Sequence, residues 1–138
     1  MTWGIENRTT AFRAIRGDSS SQRIENRLPG ADSNPYLALA ATLGAGFLGI
    51  KEQLLPTPET IGGAYDLEVE QKYQVPNDLK QAAYLFKNSE SAKNLFGEKF
   101  VEHFSNTRIW EYDEYLKNKK LFDSPITFWE LQRYFEII

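Results

Sequence analysis

The chain has no cysteine. Disulfides, thiolate nucleophiles and cysteine-ligated zinc are therefore excluded, and a reducing compartment is mildly preferred. Histidine is almost absent too: His103 is the only one. It sits in an aromatic-rich stretch, which suits a partly exposed packing residue better than a base or metal ligand. An excess of positive charge is also missing. Sixteen Lys and Arg stand against nineteen Asp and Glu, net −3, a balance that argues against a nucleic-acid partner. The longest apolar run, Tyr36 to Ile50, is too short and too glycine-rich to span a bilayer, so no membrane partner is expected. Met1 to Glu6 shows no basic region followed by an apolar one, so no signal peptide is visible and a cytoplasmic location is expected. There is no internal repeat and no low-complexity segment.

What is present fits one domain of 138 residues, long enough to bury a real core. Residues 3–15 read as a strand. Arg8 and Arg13 are five apart, so on a regular strand they face opposite ways unless a bulge intervenes. Gly17-Asp18-Ser19-Ser20-Ser21 is turn composition. Residues 22–28 then alternate, with Arg23, Glu25 and Arg27 on one side and Ile24, Asn26 and Leu28 on the other, giving a hairpin within 1–30 that has one charged face. Pro29-Gly30 ends it. Asn34 as N-cap and Pro35 at the first helical position start a helix over 34–54, apolar on nearly every side and so expected to be buried. Gly44, Gly46 and Gly49 within it suggest close approach of another backbone. Residues 55–76, rich in proline and glycine, read as a long surface loop. A helical region follows over 77–138. Asn77 or Asp78 caps a helix to about Lys87, Ser89 starts a short one closed by Gly97, and a long one covers 98–120. A last helix has Ser124 as cap and Pro125 at its first position. The fold expected is α+β, an antiparallel hairpin and partial sheet followed by a mostly helical C-terminal region.

On spacing alone, Arg23-Glu25-Arg27 reads first as a solvated ion ladder. It also suits a site for phosphates and a divalent metal, because guanidinium forks grip oxyanions and a carboxylate is a hard oxygen donor. Linked motifs favour the second reading. Asn7-Arg8-Thr9-Thr10-Ala11-Phe12-Arg13, then Arg23-Ile24-Glu25-Asn26-Arg27, then Asn34-Pro35-Tyr36-Leu37-Ala38-Leu39-Ala40-Ala41-Thr42-Leu43 with Gly46 and Gly49-Ile50, closely resemble the glutamine synthetase superfamily. Their order matches the C-terminal part of its catalytic domain. Gly30-Ala31-Asp32 and the ending from Trp129 to Glu136 look more like the γ-glutamylpolyamine synthetase branch.

The resemblance implies an ATP-dependent ligase that joins the γ-carboxylate of glutamate to ammonia or an amine through an acyl phosphate, with Mg²⁺ or Mn²⁺ as metal. It implies that Arg23 holds ATP phosphates and that Arg13 serves the nucleotide side. Arg8 and Arg27 would face the glutamate and the transferred phosphoryl group, and Glu25 would be a metal ligand. Family members are much longer, and their other metal ligands precede this region. The resemblance thus implies a terminal portion, expected to be inactive alone. The alternative is a non-enzymatic structural or oligomerisation module of the same ancestry. Tyr65 lies where some family members carry a nucleotidylated tyrosine, but its flanks differ and an ordinary loop tyrosine is expected. Open strand edges and the apolar tail lead to the expectation of a homo-oligomer.

Overall fold

A computed structural model describes residues 1–119 and 126–135. It divides into two compact units, Met1–Gln74 and the chain from Val75 onward. The class is α+β: a three-stranded sheet comes first, and helices follow.

The first unit is built on β1 (Trp3–Ile5), β2 (Phe12–Ile15) and β3 (Arg23–Asn26), in that spatial order. β2 and β3 form the expected antiparallel hairpin, with Arg13 opposite Glu25 and Ile15 opposite Arg23. The single strand expected over 3–15 is instead two strands, and β1 runs parallel to β2 with Trp3 opposite Phe12. Parallel neighbours usually need a longer crossover. Here residues 6–11 turn back sharply, starting from Glu6 at φ +52°. Asn7 makes the turn. Its side-chain oxygen accepts from the Thr9 amide at 3.0 Å and the Thr9 hydroxyl at 2.7 Å, an Asx-type turn that needs neither glycine nor proline. Arg8 therefore sits on a turn, and its five-residue spacing from Arg13 carries no strand register.

The loop after residue 55 does not hang free. Thr60 donates its amide to the Trp3 carbonyl at 2.9 Å, and the Trp3 indole donates to the Thr57 carbonyl at 2.6 Å. The Ile5 amide donates to the Glu59 carboxylate at 3.0 Å. The Asn7 side-chain amide reaches the carbonyls of Thr60 and Gly62 at 3.2 and 2.8 Å. The outer edge of β1 is thereby covered, which is how an edge strand is kept from pairing elsewhere. Gly4 must be glycine here, since a Cβ would come within 2.9 Å of both the Thr60 carbonyl and Asn7.

Helix α1 (Pro35–Lys51) starts as the sequence indicates. The Asn34 side chain accepts from the amides of Tyr36 and Leu37, and Pro35 opens the first turn. The expected burial is not found: no residue of α1 is buried. Tyr36, Phe47 and Ile50 are 82%, 62% and 80% exposed. Gly46 and Gly49 meet nothing within 4 Å of a built Cβ, so no backbone approaches them. The reason is geometric. The helix is apolar all round, while among the described residues its side-chain hydrogen bond to the sheet is the one from the Asn26 amide to the Thr42 hydroxyl at 2.9 Å. Three short strands cannot cover such a helix.

The second unit packs α2 (Leu79–Lys87) and α3 (Glu90–Phe96) against α4 (Glu98–Lys119). Asp78 caps α2 and Ser89 caps α3, each accepting from a backbone amide, and Gly97 at φ +82° separates α3 from α4. Val101, 1% exposed, lies at the core. Phe86, Phe96, Phe100 and Phe104 join in ring contacts of 5.6–6.1 Å between centroids. Each such pair contributes about 0.5–1.5 kcal/mol beyond its buried area. Helix α5 (Phe128–Tyr134) is capped by Thr127, which forms a reciprocal capping box with Glu130. The expected cap at Ser124 and Pro125 lies outside the described residues, as does the Ile137-Ile138 end of the tail. Among the described residues, no helix is long and apolar enough to cross a membrane.

Asn7 is the joint between turn and loop. Asn7→Ala should destabilise the first unit by about 1–3 kcal/mol, the cost of leaving several part-buried groups without partners. It should also speed proteolysis within 57–64. Melting followed by limited proteolysis checks this, and an unchanged cleavage rate would refute the joint.

Candidate functional site

The sheet has two chemically different faces because side chains alternate along each strand. Trp3, Ile5, Phe12, Ala14, Ile24 and Asn26 share the face toward α1, where Asn26 bonds Thr42. Gly4, Arg13, Ile15, Arg23 and Glu25 share the other face. Arg27 continues that row: its amide donates to the Ala11 carbonyl at 2.9 Å, just past the end of β3.

Three of the expected site residues meet on this face. Glu25 accepts from Arg27 at 2.7 Å through one oxygen and from Arg13 at 3.1 Å through the other. Arg13 also bonds Glu6, so its guanidinium bridges two carboxylates. It is the most covered of the group, with its side chain 17% exposed against 37% for Glu25 and 34% for Arg27. Its Nε is buried without a hydrogen-bond partner. Arg23 lies on the same face and donates to the Ser21 carbonyl at 2.9 Å. It forms no ion pair among the described residues but, after the Arg13 hydrogen bond, its charge helps lower Glu6. Arg8, on the exposed turn, makes no hydrogen bond or ion pair among the described residues. The sequence reading thus missed Glu6. Its place becomes visible only once the turn at Asn7 brings β1 beside β2.

The electrostatics follow from these bonds. The Arg13 hydrogen bond holds the Glu25 carboxyl below its ordinary value, helped by Arg27. Arg13 likewise lowers Glu6, and the two carboxylates raise Arg13. The guanidinium groups of Arg13 and Arg27 are thus oriented on one face by carboxylates, the kind of charge-assisted bonding planar forks favour.

A divalent cation fits less well. Glu25 is the right kind of donor, but both its oxygens serve arginines. No group of three or more His, Asp or Glu able to hold a metal occurs among the described residues. Mg²⁺ needs further carboxylates or phosphates, so these residues alone do not complete a metal site. His103 is exposed on α4, not packed inside, and Tyr65 is exposed in the loop.

A second network, in the helical unit, was not foreseen. Glu111 of α4 is 4% exposed. It accepts two bonds from Arg133 of α5, at 2.8 and 3.1 Å, and one from the Tyr134 hydroxyl at 2.6 Å. Arg133 lowers the Glu111 carboxyl. Burial, then the Glu111 bond, pushes the Tyr134 hydroxyl up to about 12, so it remains a donor at neutral pH. The carboxylate fastens α5 to α4.

Because the folded-state value of Glu25 is depressed, its network contributes fully above the ordinary carboxylate range. That contribution is lost as pH falls through the depressed value. Carbon-detected NMR titration should place Glu25 below an unperturbed glutamate, and Arg13→Ala should move it back up. No movement in that variant would contradict the bridge.

Comparison with known proteins shows the family. The family described as glutamine synthetase, catalytic domain, matches residues 1–134. Over 99% of its length the chain is 41% identical to a glutamate–isopropylamine ligase of a Pseudomonas species and 44% identical to a gamma-glutamylethanolamide synthetase of Streptomyces coelicolor. It is 40% identical, again over 99% of its length, to a type-1 glutamine synthetase of Dictyostelium discoideum. The chain spans 28%, 27% and 25% of the lengths of these three relatives, respectively. A match across residues 1–134 makes this protein a member of the glutamine synthetase catalytic-domain family.

Proposed function

We propose that this chain is the C-terminal portion of the catalytic domain of an ATP-dependent ligase that joins the γ-carboxylate of glutamate to an amine or ammonia. The observation that carries the reading is the Arg13–Glu25–Arg27 row beside Arg23, in a chain matched to the catalytic domain over residues 1–134. In such a reaction the γ-phosphoryl group of ATP passes to the carboxylate, and the amine then displaces phosphate. Negative charge must be gathered and held as it moves, and planar guanidinium forks suit that task. Arg13 and Arg23 take the nucleotide phosphates, while Arg27 and the unpaired Arg8 take the glutamate and the transferred phosphoryl group. Glu25 aligns Arg13 and Arg27. It would serve as one ligand of Mg²⁺ or Mn²⁺ only together with carboxylates from outside these 138 residues. When bound, that ion would neutralise phosphate charge. The relatives at 40–44% identity include two amine ligases and one glutamine synthetase, which supports a reading that takes either an amine or ammonia as acceptor.

The test has two arms. Given ATP, glutamate and an amine, the isolated chain should release no amine-dependent phosphate above a Glu25→Ala control; release above it would refute the dependence on further ligands. Inorganic phosphate should weakly shift the amide resonances of 11–15 and 23–27, less so at high salt. Arg23→Ala/Arg27→Ala should abolish those shifts, and their persistence would remove the phosphate assignment.

The bare face of α1 supports self-association as a property of the isolated chain. Leu39, Leu43, Phe47 and Ile50 are each more than half exposed, and a patch of that kind drives association. Light scattering should report a dimer or larger species at micromolar concentration, shifted toward monomer by Leu43→Glu/Phe47→Glu. A clean monomer for the parent chain would contradict this.

A further inference from the structure

The helical unit holds a cleft whose hydrogen-bonding groups are unevenly engaged. His103, Asn106, Thr107, Trp110 and Glu111 fall on one side of α4 at helical spacing. With Arg108 and with Arg133 of α5 they line an open cleft of about 400 Å³. The carboxylate and amide oxygens there are already occupied. Both Glu111 oxygens are taken by Arg133 and Tyr134. The Asn106 side-chain oxygen accepts from the Lys87 ammonium at 2.9 Å. The Thr107 hydroxyl donates to the Phe104 carbonyl at 2.7 Å.

The donors, by contrast, are in surplus. Arg108 makes no hydrogen bond or ion pair among the described residues, and its Nε is buried without a partner. Its guanidinium lies 5.4 Å from the Phe104 ring centroid, a contact that fixes the group but engages none of its in-plane N–H donors. Arg133 uses Nε and Nη2 on Glu111, leaving Nη1 outside that pair. Asn106 keeps its amide donors while its oxygen is held by Lys87. Among the described lining residues Arg108 and Arg133 stand against one carboxylate, Glu111, so the lining carries an excess positive charge on a chain whose net charge is −3. A cation would be repelled, and a neutral acceptor would leave the excess charge unanswered.

We infer that this cleft binds an oxyanion, a phosphate or carboxylate group, through Arg108 with Asn106 and Arg133 beside it. Glu111 plays a positioning part: its bonds hold Arg133 at the cleft wall. The site belongs to the helical unit and is independent of the arginine row on the sheet. A carboxylate ligand would be a small diacid or an acidic side chain, and a phosphate ligand a free or esterified phosphate. The chemistry they share is several acceptor oxygens on one negative group, the natural complement of a guanidinium with free forks.

The experiment uses the full chain carrying Arg23→Ala/Arg27→Ala, so that the sheet face does not compete. Inorganic phosphate and, separately, succinate are titrated while the Trp110 indole, the His103 ring and the amides of 106–111 are followed by NMR. Trp110 is 56% exposed and lines the cleft, so it reports occupancy without being a ligand. Saturable shifts with at least one probe are expected, with affinity reduced at least fivefold by Arg108→Gln and further reduced by salt. Saturation by phosphate alone identifies a phosphate site, and by succinate alone a carboxylate site. If Arg108→Gln does not fold, Asn106→Ala should show the same weakening with the fold intact. The absence of saturable shifts with both probes, or variants that bind as tightly as the parent, would overturn the inference.

Discussion

Arg13 sits between two carboxylates, and the organisation of the first unit depends on that position. Glu6 follows β1 and Glu25 belongs to β3, so one guanidinium on the middle strand ties both neighbours together. The sheet is short, and three- and four-residue strands have little hydrogen bonding of their own to fix register. A planar fork that must meet two acceptors fixes it better than a flexible ammonium would. The same bridge settles the chemistry of the face. It presents Arg27 and Glu25 in fixed relation, while Arg23 and Arg8 form no ion pair among the described residues.

The opposite side of the sheet shows the converse. Apolar residues face α1, and α1 is itself apolar on all sides, yet no residue of α1 is buried and Ile24 of the sheet is 71% exposed. Burial of such surface is normally the dominant favourable term in folding. A family member spanning about a quarter of its relatives' length therefore displays surface that its composition marks as interior.

Much of this was legible in the sequence, and the failures have physical causes. The alternation Arg23-Glu25-Arg27 gave the charged face because period-two patterning survives any sheet context. The caps at Asn34, Asp78 and Ser89 and the stop at Gly97 were readable because capping is local chemistry. The split of 3–15 into two strands was hidden. No glycine or proline occurs from Ile5 to Arg16, and the turn is made by Asn7 bonding Thr9. Glu6 was missed for the same reason, since its partnership with Arg13 exists only after that turn. The exposure of α1 was misread because all-round apolarity specifies a need for cover without supplying it. The Glu111–Arg133 clamp was invisible because its partners lie 22 residues apart on separate helices.

If Arg13 is what couples the three strands, loosening it should be felt along the whole sheet and nowhere else. Hydrogen exchange of the Arg13→Met variant measures this directly, because methionine keeps most of the apolar stem and removes the fork. The expected result is faster exchange for the amides of 3–6, 12–15 and 23–27, with the core of α4 around Val101 unchanged. Exchange in the sheet as slow as in the parent chain would contradict the account.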